Sequence, residues 1–346
     1  MSRWDEYDEE PPREGFWSTL VNFSSWAFSL IAVGLVGAFF LIVDTQRPGP
    51  AAAGNAAATV VVVPRGAGLG AIGEHLQAEG VVRSAIAFRG ATLLYGHGRS
   101  LKAGEYAVPA RASVGQIIEM LAQGKVLLHP ITIPEGWTSG MIVDMLAASD
   151  VLDGPAPEVP AEGSLLPETY SVERGADRAT VLKQMRDAHV KAVDALWPSR
   201  AANLPFRTPQ EAVTLASIVE KETALDAERP RVAAVYVNRL RKGMKLESDP
   251  TVIYGVSQGR ALGRGILQSE LNRDTPYNTY RNAGLPPTPI ANPGKASLAA
   301  VMNPPNTNEL YFVADGSGGH VFAATYAEHQ RNVARWRAIE RARASQ

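Results

Sequence analysis

Phe23 to Val43 reads FSSWAFSLIAVGLVGAFFLIV, 21 residues without a charge. As a helix this run is about 31 Å long, enough to cross the hydrocarbon core of a bilayer. A soluble core helix seldom runs so far without a polar face. A cleaved signal peptide has a shorter apolar stretch, a basic start and a small-residue cleavage site. Here the leader is long and acidic, and the small residues Ala51–Gly54 lie well past the run. The sequence therefore predicts a single retained membrane anchor.

The anchor divides a net charge of −1 into −4 before it and +3 after it. Orientation follows Lys and Arg near the span rather than net charge. Arg3 and Arg13 precede it and only Arg47 follows closely, which favours a cytoplasmic N-terminus and an exported body. The absence of cysteine excludes a disulfide framework, a thiolate zinc site and a cysteine nucleophile. A large exported body without cysteine fits a bacterial periplasm. The six histidines have no paired ligand spacing, so no metal or cofactor is expected. No P-loop or G-x-S-x-G elbow is present, and the positive excess is too small for a nucleic-acid partner.

Gln46–Ala58 is rich in Pro, Gly and Ala and reads as a linker. An internal repeat follows. Val63-Pro64-Arg65-Gly66 with Gly70, Ile72 and Leu76 recurs 70 residues later as Ile133-Pro134-Glu135-Gly136 with Gly140, Ile142 and Leu146. In each copy a β-branched strand stops at a proline, which cannot donate to a ladder. A glycine then permits the turn into an amphipathic helix. Gly68–Gly73 mimics a dinucleotide fingerprint, but Pro64 breaks the strand junction, no second strand with a terminal acid follows at the right distance, and the second copy lacks the triple glycine. These strand–helix units resemble LysM-like glycan-binding modules.

The second half carries the chemistry. Thr208-Pro209-Gln210-Glu211 has a capping threonine, Pro at the first helical position and Glu at the third. Ala212, Leu215, Ala216, Val219 and Thr223 then share one face of the predicted helix. Glu220 and Glu222 end it, pointing about 200° apart, so they cannot cooperate on one face. Glu222 lies nearer the apolar stripe and is the better placed for burial, which raises a carboxyl pKa and suits it to act as an acid. Two solvated helix-end charges remain the simpler alternative. Downstream come a helix over Pro230–Leu240, loops rich in Asn and Tyr, a hairpin over Leu310–Ala324, and a basic helix over Ala327–Arg343 with a solvated face.

The segments Leu215–Thr223, Val237–Leu240, Ser248–Gly255, Tyr277–Tyr280, Gly284–Pro287, Tyr311–Gly316 and Glu162–Tyr170 together resemble the endolytic murein transglycosylases, the YceG-like family. That resemblance implies an inner-membrane enzyme facing the periplasm. It implies cleavage of N-acetylmuramic acid–N-acetylglucosamine bonds in nascent peptidoglycan glycan strands, with 1,6-anhydro ends, and penicillin-binding synthases as partners. One carboxyl would serve first as acid and then as base. By likeness to lysozyme-like lytic transglycosylases, in which a small hydroxyl residue follows the acid, Glu222 is favoured and Glu220 is the alternative. Asn278, Tyr280, Tyr254 and Asp249 are expected to contact substrate. Two departures stand out: Glu247 where glutamine is usual and Leu166 where an aromatic is common. A muramidase on the same fold, or a glycan-binding scaffold without turnover, are the rival readings.

The expected fold class is α+β. The organisation expected is a tail over 1–22, a transmembrane helix over 23–43, a linker over 44–58, a LysM-like module over 59–128, a second strand–helix module over 129–175, and a mixed α+β catalytic domain with a lysozyme-like helix over 176–346.

Overall fold

A computed structural model describes residues 16–344. The acidic leader with Arg3 and Arg13 lies outside the described residues. The fold is mixed α+β and parts into two compact units between Leu127 and Leu128.

In the first unit the apolar run is the centre of one helix, α1 (Phe16–Gln46). A two-stranded antiparallel sheet follows, β1 (Ala58–Val63) with β2 (Gly104–Pro109), in register from Ala58 opposite Pro109 to Val63 opposite Gly104. Helices α2 (Leu69–Ala78), α3 (Ala85–Leu94) and α4 (Val114–Gln123) complete it. Val61, Val63, Leu76, Phe88, Tyr106, Ile117 and Leu121 form its core. The segment expected as a linker is pinned instead. Gly49 N–H donates to Arg111 O at 3.0 Å and Arg111 N–H donates to Pro50 O at 2.9 Å. Paired backbone groups of this kind fix a Pro/Gly-rich stretch that composition alone marks as mobile.

The second unit opens with the repeat's other copy. β3 (Leu128–Thr132) pairs antiparallel with β5 (Thr169–Glu173), and α5 (Ser139–Ala148) follows the turn. Gly66 and Gly136, at equivalent places, have φ of 77° and 73°. A side chain there would cost about 1–2 kcal/mol, which accounts for glycine at both turns. Short strands β4 (Leu152–Asp153) and β6 (Ala176–Asp177) pair in parallel. Helix α6 (Arg178–Leu196) joins two cores. Its Val181, Leu182 and Met185 pack with Ile131, Ile142, Leu146 and Leu165, while Ala192 and Val193 join the larger core.

The larger core surrounds α7 (Pro209–Glu222), which packs against α8 (Arg229–Arg241), α9 (Asp249–Ser257) and α11 (Lys295–Met302). The sequence gives α7 a single apolar face, but every residue from Ala212 to Val219 is buried. Neighbouring helices enclose it, and its hydroxyls are satisfied locally. Thr214 Oγ1 donates to Gln210 O at 2.9 Å, and Ser217 Oγ donates to Thr214 O at 2.7 Å. The short α10 (Gln268–Leu271) precedes α11. The predicted hairpin forms as β7 (Tyr311–Ala314) and β8 (His320–Ala323). The terminal helix α12 (Tyr326–Ala344) keeps the solvated basic face expected of it, with Arg331, Arg335, Arg337 and Arg341 exposed. It lies on the hairpin, where Trp336 and Ile339 crowd Gly316.

Candidate active site

The end of α7 is set from both sides. Its start carries the predicted capping box: Glu211 N–H donates to Thr208 Oγ1 at 3.2 Å, and Thr208 N–H donates to Glu211 Oε2 at 2.9 Å. Its last helical residue is Glu222. Thr223 turns extended, with φ −142°, and accepts Leu225 N–H on Oγ1 at 3.0 Å. The rigid core beneath and the hydroxyl after it fix where the terminal carboxylates emerge.

Glu220 is held in a polar lock. Its Oε2 accepts Gly294 N–H at 2.9 Å, and its Oε1 lies 3.7 Å from Arg229 Nη2. Both side chains in that pair are only 5% exposed. Arg229 also pairs with Asp226 at 2.6 Å and lies 3.9 Å from Glu135. Removing one partner of such a buried pair leaves the other charge uncompensated and is costly to the fold.

Glu222 has a different environment. Tyr236 Oη of α8 donates to its Oε1 at 2.7 Å, and Ser248 Oγ donates to the same oxygen at 2.5 Å. Oε2 accepts no hydrogen bond among the described residues and is the oxygen left to carry a proton. Burial pushes its pKa above the ordinary glutamate value of 4.5, and the Asp249 charge adds to this. The Ser248 and Tyr236 hydrogen bonds and nearby His320 pull the other way. Glu222 lines a cleft of about 460 Å³ with Tyr236, Arg239, Leu246, Glu247, Asp249, Tyr280, Phe312, Val313 and His329.

Of the residues expected at the substrate, Asp249 and Tyr280 share this cleft with Glu222. Tyr280 Oη donates to Asp249 Oδ1 at 2.7 Å. Burial and that carboxylate raise the Tyr280 pKa. Asn278 stands behind the cleft, 1% exposed. Its amide nitrogen donates to Leu271 O and Arg273 O, at 2.8 Å and 2.7 Å. Its oxygen accepts Tyr280 N–H at 3.0 Å. With three bonds to backbone it positions Tyr280 and has little left for a sugar. Tyr254 lines a second cleft, of about 470 Å³, with Trp137, Lys221, Ile253 and Arg264. Its hydroxyl donates to Glu162 at 3.3 Å, and its ring lies 4.9 Å from that of Tyr277.

Ser248, Tyr236 and Asn292 carry roles that sequence reading left unassigned. Tyr236 lies within the helix predicted over Pro230–Leu240, and a buried phenol needs a partner. Asn292 is fully buried and braces the wall. Its Oδ1 accepts Leu165 N–H at 2.9 Å, and its Nδ2 donates to Trp137 O, Ser139 Oγ and Glu162 Oε1. Arg239 ties helix α8 to the strand entering the hairpin by donating to Leu310 O at 2.7 Å and Leu246 O at 2.8 Å. Glu247 has φ 51°, left-handed for a residue with a side chain, and accepts from Arg239 at 3.2 Å. Among the described residues no cluster of His, Asp and Glu could hold a metal ion.

A half-buried glutamate at the end of a core helix thus opens on a polar and aromatic cleft. Residues 61–335 match the YceG-like family, and the chain belongs to it. An endolytic murein transglycosylase of Bacillus subtilis is 37% identical over 50% of this chain and 47% of its own length. One of Streptococcus pneumoniae is 30% identical over 79% of this chain and 57% of its own length. The chain thus spans about half the length of these relatives. The crystal structure of a YceG-like protein of Listeria monocytogenes is 29% identical, with a TM-score of 0.49, over 79% of this chain and 98% of that one.

Proposed function

We propose that this chain is an endolytic peptidoglycan lytic transglycosylase, cutting the bond from N-acetylmuramic acid to N-acetylglucosamine within glycan strands. The observation that carries the reading is the contrast at the end of α7. Glu220 is locked to Arg229, while Glu222 has a raised pKa, one oxygen held by two hydroxyls and the other unengaged. Glu222 protonates the glycosidic oxygen as the bond to C1 breaks. Tyr236 and Ser248 then stabilise the carboxylate left behind. That carboxylate takes the proton from the muramic 6-hydroxyl as its oxygen closes on C1. The 1,6-anhydro ring forms, no water is consumed, and Glu222 is returned protonated. Asp249 and Tyr280 line the sugar groove and contact substrate.

In this reading α1 spans the inner membrane and the body works in the periplasm. The strand–helix repeats act as LysM-like modules along the glycan, α7 plays the part of the lysozyme acid helix, and a peptidoglycan synthase supplies the nascent strand. Asp249 in the same cleft favours one rival, a muramidase using two carboxylates. Purified protein acting on uncrosslinked glycan strands decides between them by product mass. Transglycosylation gives ends one water lighter than the reducing ends of hydrolysis. Reducing ends alone would overturn the proposal.

A further inference from the structure

Helix α3 buries only one side. Phe88, Ala91 and Thr92 face the core of the first unit. On the other side Ile86, Leu93 and Leu94 are 85%, 58% and 46% exposed. At helical spacing these three fall within an arc of about 100°, with Gly90 between Ile86 and Leu94. A contiguous aliphatic stripe on a small module marks a surface that something covers.

Gly90 is also where α3 meets α1. A Cβ there would lie 3.2 Å from Leu41 Cδ2. About one turn further on, the Thr45 and Tyr95 hydroxyls lie 2.8 Å apart and Gln46 donates to Tyr95 at 3.3 Å. Leu41 is inside the uncharged run, about 4.5 Å along the helix axis before Asp44, the first charge after it. The stripe therefore sits at the depth where a spanning α1 leaves the hydrocarbon. Basic groups gather at the same level. Arg47, Arg83 and Arg111 line a recess around Pro48–Ala51, and Arg89 is exposed beside the stripe. Arg83 uses one donor on Pro48 O at 3.0 Å, and Arg47 pairs with Asp44 at 3.4 Å.

We propose that α3 is an interfacial helix. Its Ile86–Leu93–Leu94 stripe beds into the headgroup–acyl boundary of the bilayer that α1 enters, and these arginines face anionic lipid phosphates. The proposal rests on reading α1 as a membrane anchor. The first unit is thereby held to the membrane at two points, α1 and α3, which fixes its tilt where a lone span would leave it free to swing.

The chain has no native cysteine, so single-cysteine labelling needs no background removal. Ile86→Cys, Leu93→Cys, Phe39→Cys within α1 and Glu79→Cys on the far end of α2 are spin-labelled. The full-length protein is reconstituted in phosphatidylethanolamine–phosphatidylglycerol vesicles. Accessibility to oxygen against a water-soluble nickel chelate is then measured. Labels at 86 and 93 are expected to give oxygen-to-nickel ratios several-fold above that at 79 and approaching that at 39. If 86 and 93 match 79 while 39 is lipid-exposed, α3 faces water and the proposal falls, although the anchor stands. If 39 is itself water-exposed, the anchor reading fails and takes the proposal with it. Dipolar broadening between labels at 93 would mean that a second copy covers the stripe, which also overturns it.

Discussion

Glu220 and Glu222 leave one helix end toward different partners: the first meets a buried Arg229 at 3.7 Å, the second a tyrosine hydroxyl at 2.7 Å. Glu222→Gln is expected to fold normally and to lower release of anhydro-muropeptides by about 10²–10⁴-fold, the usual contribution of a positioned acid. Chromatography with mass detection on digested glycan checks this. Full activity in Glu222→Gln would move the assignment elsewhere.

Glu220→Ala should act on stability. It strands a guanidinium that is 5% exposed, which costs about 3 kcal/mol, the low end for breaking a buried pair. Asp226 keeps the loss from being larger. Denaturant midpoints report it, while activity per folded molecule stays within a few-fold of the parent.

The cleft also predicts pH profiles of opposite sign. In the proposed mechanism the free enzyme needs Glu222 protonated, so kcat/KM is expected to fall as pH rises through its raised pKa. Tyr236→Phe removes a hydrogen bond that favours the carboxylate, and the falling limb moves to higher pH. Asp249→Asn removes a like charge, and the limb moves to lower pH. Profiles that shift in the same direction would contradict this electrostatic account.

Stability follows from the same group. Between the ordinary value of 4.5 and the raised folded value the native state binds more protons than the unfolded state, so stability falls as pH rises through that window. Glu222→Gln should therefore be more stable than the parent at neutral pH. The gap should close at pH values below 4.5. Thermal melts across that range check it.

Asn278→Ala is expected to cost about 2–3 kcal/mol, from three backbone hydrogen bonds lost in a buried site. Because it seats Tyr280, KM should rise more than kcat falls.

The fold was legible where local rules decide. The helix cap at Thr208, the turns at Gly66 and Gly136, the hairpin and the long apolar helix all follow from spacing and special residues. The choice of Glu222 by helix angle rested on one apolar face, yet α7 is enclosed on every side. What separates the two glutamates is partners from distant segments: Arg229 and Gly294 for one, Tyr236 and Ser248 for the other. Such pairings are tertiary and leave no periodicity to read. Asn278 shows the same limit. An amide in a Tyr-rich loop suits a sugar, but the carbonyls of Leu271 and Arg273 had already claimed it.

The duplicated turn has one further consequence. Its two copies share a backbone but differ in the residue between Pro and Gly: Arg65 in one, Glu135 in the other. Glu135 lies 3.9 Å from Arg229 at the start of α8. Exchanging the copies by recombination would set cation against cation at that point. The two turns share a pattern but are not interchangeable, because the residue between Pro and Gly in the second faces a cation.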